Sequence, residues 1–315
     1  MNRNPAIELF RVLLMLGVCV LHAMTMCGHN SGPILGRLTY VLYSCVVGFV
    51  FISGWFGIDF KFRKLLRLWG VAFYAASVAI VVAVWAGEDW RLPVSDILRT
   101  NWFLNGYCVL MLLAPLVNLA IERKFYFPVG CLLMLVFGWA FLTTVPVIGC
   151  YALRSAGVSD YSGLTLVGIY ALARVIRTED VATRLSARMR ALVFVVSLMA
   201  VFCHLSSYAS PFAFGLAAMA FLFVKGVSIP VWLGRIVLWM APSMFAVFLI
   251  HSNCLGFGLM AKMEDMLCSA GVPMELSLLL TGGITFVACF LMDCPRRIAL
   301  AVIASARGKA KVGND

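Results

Sequence analysis

Stretches of about 20 predominantly apolar residues, the length a helix needs to cross the hydrocarbon core of a bilayer, recur from one end of this chain to the other. No other feature limits the fold as strongly, because a backbone immersed in lipid must satisfy its own hydrogen bonds, as a helix or a closed barrel does. Read with this ruler, the 315 residues hold ten stretches, at about 7–26, 38–60, 67–86, 102–121, 128–146, 162–177, 190–206, 211–225, 237–259 and 276–294. Composition agrees: 63% of residues are hydrophobic, 12% are charged and mean hydropathy is +0.99, whereas ordinary soluble domains carry about 25% charge. A soluble enzyme is excluded. The fold class expected is all-α, a polytopic membrane protein with about ten transmembrane helices. The first stretch carries Glu8 and Arg11 and lacks a small-residue cleavage site, so it reads as a span and not as a removable leader.

The net charge of +11 raises nucleic acid or a membrane surface as partners, and the placement of the charges decides between them. If the N-terminus is cytoplasmic, all of the 25 Lys and Arg except Arg37, Arg91, Arg99, Arg154 and Lys262 fall on the cytoplasmic side. Glu88, Asp89, Asp96, Asp160, Glu264, Asp265 and Glu275 accompany those five on the other side. This is the positive-inside pattern, with both termini cytoplasmic. The charges are topological and nucleic-acid binding is not needed to explain them. The expected division is one membrane domain over residues 1–295 and a short basic tail over 296–315.

Most of the 11 cysteines lie within the spans and read as small apolar filler. No CxxC pair, HxxxH motif, GxGxxG or Walker loop occurs, so no metal site and no nucleotide loop is expected. Ionisable residues inside spans are costly and point to function. Arg11 and His22 are eleven residues, about three turns, apart; this puts them on one face of the first helix with ~16 Å between them in depth. Glu8 stands one turn before Arg11, close enough to neutralise it at the inner face. A second imidazole, His251, lies at similar depth in the ninth stretch, while His29 and His204 fall near outer ends. Histidine gives and takes protons near neutral pH, as hydroxyl acyl transfer requires. At the inner end of the second stretch, Ser53-Gly54-Trp55 leads into Lys61, Arg63, Lys64 and Arg67. These cations either anchor a hairpin or form a phosphate site for an anionic donor, with Arg63 and Arg67 sharing one phosphate.

Taken together, these residues resemble the acyltransferase-3 family of integral-membrane O-acyltransferases. Arg11 and His22, with Glu8 upstream, are similar to the family's first-helix signature. Phe49 to Phe56 resembles its second-helix stretch, and Lys61 to Arg67 the basic run that follows. The segment from Trp102 to Pro115 is similar to the family's fourth helix. Tyr208, Ser210 and Pro211, and then Phe248 to His251, resemble its two late motifs. Phe248 stands where Tyr is frequent, and Trp69-Gly70 where a Pro is common.

The resemblance implies transfer of an acyl group, usually acetyl from acetyl-CoA, to a hydroxyl of a polysaccharide or lipid-linked glycan outside the cytoplasm, in a bacterial inner membrane. His22 would act as base or acyl carrier. Arg11, paired with Glu8, would orient the donor, and Ser53, Lys61, Arg63, Lys64 and Arg67 would hold it. Asn101, Trp102, Tyr208, Ser210 and His251 would meet the acceptor. The rival reading is a proton-coupled secondary transporter or flippase using the same buried Arg and His.

Overall fold

Among the described residues every regular element is helical, as a backbone in lipid requires. The computed structural model of the chain describes residues 3–26, 33–138, 161–203 and 208–312. The N-terminal part holds α1 (Pro5–Met26), α2 (Pro33–Phe56), α3 (Phe62–Ala86), α4 (Arg91–Ser95, continued by a π turn over Asp96–Thr100) and α5 (Trp102–Glu122). Next come α6 (Tyr126–Leu133, with a π turn over Met134–Gly138), α7 (Gly163–Thr178), α8 (Val181–Arg184), α9 (Ala187–Phe202) and α10 (Pro211–Lys225). The chain ends with α11 (Val231–Met240), α12 (Met244–His251), α13 (Cys254–Ser269) and α14 (Met274–Val312).

Among the described residues, six segments are long and apolar enough to cross a bilayer: Pro5–Met26, Leu35–Phe56, Phe62–Ala86, Arg91–Glu122, Val231–His251 and Met274–Ser305. They fall on six of the ten expected stretches. The stretch 128–146 begins as α6 and then leaves the described residues. Those at 162–177, 190–206 and 211–225 form α7, α9 and α10, of 16, 16 and 15 residues. At 1.5 Å per residue such helices span about 24 Å, less than the ~30 Å hydrocarbon core. Among the described residues, then, six spans rather than ten have full crossing length.

Three boundaries also move. The second stretch stops at Phe56 and not at 60, because the chain turns through Gly57 at φ +76°. The ninth stretch breaks directly after His251. There Asn253 donates to the Ile250 carbonyl (2.8 Å) and accepts from the Gly256 amide (3.1 Å), so it closes one helix and caps the next. The boundary expected between 295 and 296 falls inside α14, which continues through Pro295.

Helix α1 sits in the middle of the bundle, packed by α2, α10, α11, α12, α13 and α14. Small residues permit the closest approaches, as is usual where lipid offers helices no hydrophobic driving force to associate. A Cβ at Gly282 would come within 2.7 Å of Val20 Cα, and one at Gly54 within 2.5 Å of the Tyr170 carbonyl. The outer surface is apolar: Trp85 and Phe127 are 86% and 85% exposed. Large side chains of this kind belong in lipid.

Candidate active site

Two cavities open at opposite ends of the bundle, and one face of α1 runs from one to the other. The cavity at the C-terminal end of α1 has a volume of about 470 Å³ and is lined by His22, Asp96, Asn101, Trp102, Tyr208 and Ser252, among others. The cavity toward the N-terminal end of α1 measures about 530 Å³ and takes in Arg11, Ser53, Lys64, Arg67 and Tyr107. Between them lies a hollow of about 50 Å³ enclosed by Met15, Val18, Val46, Phe49, Phe103, Phe245 and Phe248. Phe248 also lines the first cavity, and Phe49, Phe103 and Phe245 also line the second. Arg11, Met15, Val18 and His22, spaced by three or four residues, therefore form one helical stripe that touches all three spaces in order.

At the wall of the first cavity His22 meets the imidazole of His251 behind it, Nδ1 to Nε2, at 2.9 Å. His251 is 1% exposed, and its Nδ1 lies 2.6 Å from the Val247 carbonyl, one turn back on α12. A carbonyl only accepts, so the network assigns the proton of neutral His251 to Nδ1 and makes its Nε2 an acceptor. His22 then donates from Nδ1, and its Nε2 keeps the lone pair. A buried partner that fixes the tautomer of a cavity-lining histidine is the arrangement that orients a general base.

Around this pair the walls are aromatic and polar. Trp102 stacks on Tyr208 with ring centroids 5.2 Å apart at 30°, and Tyr161 meets Trp102 edge-on at 5.1 Å. Asp96 accepts from the Cys254 amide (2.8 Å), fastening α4 to the start of α13. The Asn101 side chain caps α5 through the Leu104 amide (2.9 Å) and donates to Ser252 Oγ (3.2 Å).

In the second cavity Arg11 Nη1 donates to both carboxylate oxygens of Glu8, at 3.0 and 3.1 Å. Glu8 is buried while Arg11 is half-buried, so the pair turns its cationic side toward the cavity. Ser53 Oγ donates to the Phe49 carbonyl (3.1 Å) and lies 3.2 Å from the Tyr107 hydroxyl. Asp59 lies 3.1 Å from Lys61 Nζ and 3.8 Å from Lys64 Nζ. The Lys61 hydrogen bond, aided by the charge of Lys64, holds the Asp59 carboxyl below the usual carboxylate range.

The structure brings together most of the residues expected from the sequence, with rearrangements. Glu8, Arg11, Ser53, Lys64 and Arg67 gather at the basic end, whereas Lys61 and Arg63 are exposed and outside the cavity lining. Of the pair Arg63 and Arg67, expected to share a phosphate, Arg67 lines the cavity beside Lys64 and Arg63 does not. Asn101, Trp102 and Tyr208 line the other cavity. Ser210 does not: 1% exposed, it caps α10 by accepting from the Phe212 amide (3.3 Å). His251 stands behind His22 and is absent from the lining of that cavity. Arg11 and His22, expected in one channel, occupy separate cavities joined by the hollow. His29 and His204 lie outside the described residues. Sequence reasoning missed Phe103 and Tyr107, although their i, i+4 spacing on α5, continued by Met111, marks the stripe that faces the basic cavity. It also missed Asp96 and Ser252, which no periodicity announces.

A membrane protein with a hydrogen-bonded imidazole pair at one end and clustered cations at the other carries groups suited to proton transfer and to anion binding. The model of the acyltransferase-3 family, an acyltransferase domain, matches residues 4–294. The chain belongs to this family and is a membrane acyltransferase. No curated protein and no solved structure matches it.

Proposed function

We propose that the protein moves an acetyl group from cytoplasmic acetyl-CoA to a hydroxyl of an extracytoplasmic polysaccharide or lipid-linked glycan in a bacterial inner membrane. The observation that carries this reading is the stripe Arg11, Met15, Val18, His22, which links the cationic cavity to the imidazole pair across about 16 Å of helix. The uneven distribution of Lys and Arg supports ten crossings with both termini cytoplasmic, the basic cavity facing the cytoplasm.

In this reading the donor phosphates rest on Arg11, Lys64 and Arg67. The slender pantetheine arm passes the hollow and delivers the thioester to His22. The acceptor sugar lies against Trp102 and Tyr208, and its hydroxyl gives its proton to His22 Nε2 as the oxygen attacks the acyl carbonyl carbon. The new C–O bond forms, the C–S bond breaks, and the departing CoA sulfur takes the proton from His22. His251 holds His22 in the working tautomer and does not meet the acceptor. The aromatic wall suits the apolar faces of a sugar ring, with Asp96, Asn101 and Ser252 near its hydroxyls.

The test is the O-acetyl content of envelope glycans in cells producing wild type, His22→Ala or Lys64→Ala with Arg67→Ala at equal membrane levels. Both variants are expected to lose acetyl ester, His22→Ala by about 10²–10⁴-fold in rate. Full acetylation in His22→Ala overturns the assignment of the base. Absence of acetyl ester in wild type, with proton-coupled solute movement in vesicles, selects transport instead.

A further inference from the structure

We infer that the phenylalanine-lined hollow, through Phe103, Phe245 and Phe248 with Met15, determines which acyl groups the enzyme transfers, admitting unbranched ones and rejecting those branched next to the carbonyl. The inference rests on the donor route proposed above and adds a selection step to it.

The donor enters acyl end first, because its phosphates remain with the cations while the thioester must reach His22. The leading acyl group is thus the first part to traverse the hollow. Behind it the cysteamine and β-alanine portions of the arm are unbranched. The dimethyl-substituted carbon of the arm stands beyond both amide linkages and remains in the wide basic cavity. A passage matched to an unbranched chain therefore serves every acyl-CoA equally until the acyl group itself is broad.

The hollow is narrow by this measure. Its volume is about 50 Å³, a third of the ~150 Å³ apolar cavity that accommodates benzene in another protein. It holds a few heavy atoms in file, and a methyl branch beside the carbonyl widens the file. The walls resist widening because they are rings packed on the protein's own core. Phe103 meets Phe248 edge-on at 5.2 Å and stacks on Tyr107 at 5.9 Å. Phe248 in turn abuts both imidazoles, at 6.3 Å from His22 and 6.0 Å from His251. Met15 is 3% exposed and closes the α1 side. All seven lining side chains are apolar, so selection acts through shape and not through hydrogen bonding. Chain length is penalised less than branching, since extra methylenes follow in file.

The experiment uses membranes containing the full-length protein and its native acceptor. Transfer of label from acetyl-, butyryl- and isobutyryl-CoA into base-labile ester is measured for wild type, Met15→Ala and Phe245→Leu. In wild type, isobutyryl transfer is expected to be about ten-fold or more slower than butyryl transfer, the low end of what one methyl group discriminates. Both variants narrow that ratio toward one while retaining acetyl transfer. Equal butyryl and isobutyryl transfer by wild type overturns the inference, as does a wild-type ratio in variants that still transfer acetyl. If one variant fails to accumulate, the other and the wild-type ratio still decide. Loss of all three transfers in wild type defeats the donor reading itself, a different result from unselective transfer.

Discussion

At the level of single residues, chemistry at both ends of the stripe depends on neighbours that hold a charge or a tautomer in place. His251→Phe keeps an aromatic ring behind His22 but removes the acceptor for its Nδ1–H. Acetyl transfer is expected to fall about 10- to 100-fold, with a displaced pH–rate profile, because the base loses the partner that fixes its tautomer. His251→Gln, whose amide oxygen offers an acceptor, restores part of the rate. A pH series on the three proteins separates this positioning role from simple loss of packing. At the basic end, Asp59 pairs with the exposed Lys61 and with Lys64 of the cavity lining, so in the proposed donor site it competes with donor phosphate for Lys64. Its depressed pKa keeps it ionised throughout the neutral range and releases the two lysines only in acid. Asp59→Asn is therefore expected to lower KM for acetyl-CoA about two- to five-fold near neutrality, with kcat unchanged, an effect that high salt erases.

At the level of elements, the irregular connection between α2 and α3 is held by hydrogen bonds from neighbouring helices. Tyr170 Oη accepts from the Ile58 amide (2.9 Å) and donates to Asn118 Oδ1 (2.8 Å), while Asn118 Nδ2 donates to the Ile58 carbonyl (3.1 Å). Two side chains from α7 and α5 thus satisfy both backbone groups of one residue, which the turn itself leaves unpaired. The latch places the start of α3, and with it Lys64 and Arg67, beside Ser53 at the end of α2. Tyr170→Phe leaves the Ile58 amide without its acceptor and is expected to destabilise the protein by about 1–3 kcal/mol, read as a lowered Tm in detergent. Adding Asn118→Ala costs less than the sum of the single changes, because both remove the same node. Such a latch was not legible in the sequence: Tyr170 and Asn118 sit in apolar stretches that read as spans, and only the packing of α2, α5 and α7 makes them partners. Gly54 illustrates the same limit. In the sequence it is a small residue beside Ser53, and the structure places it against the Tyr170 backbone.

Across the whole molecule, the proposed function makes the orientation of the protein and the direction of transfer one question, because the basic and aromatic cavities lie toward opposite ends of α1. A fluorescent reporter fused after Asp315 is expected to be bright and an alkaline phosphatase fused there inactive, as a cytoplasmic C-terminus requires. The reverse result inverts the donor and acceptor sides.

By itself the sequence determined that this chain lives in a bilayer as helices, where most of those helices lie, and that Arg11 and His22 share a face of one of them. These properties are local: the length of an apolar run, the period of a helix and the side of a lysine depend on a segment and its solvent alone. Only the tertiary structure decided that His22 touches His251, 229 positions away, that Lys64 and not Arg63 joins Arg67 at the cavity, that Ser210 caps a helix, and that four phenylalanines from three helices close around one hollow. In lipid an apolar side chain is equally at home against a neighbouring helix or an acyl chain, so hydrophobicity does not mark the buried face of a span. The rotation and pairing of the spans, and hence the site, emerge from packing alone.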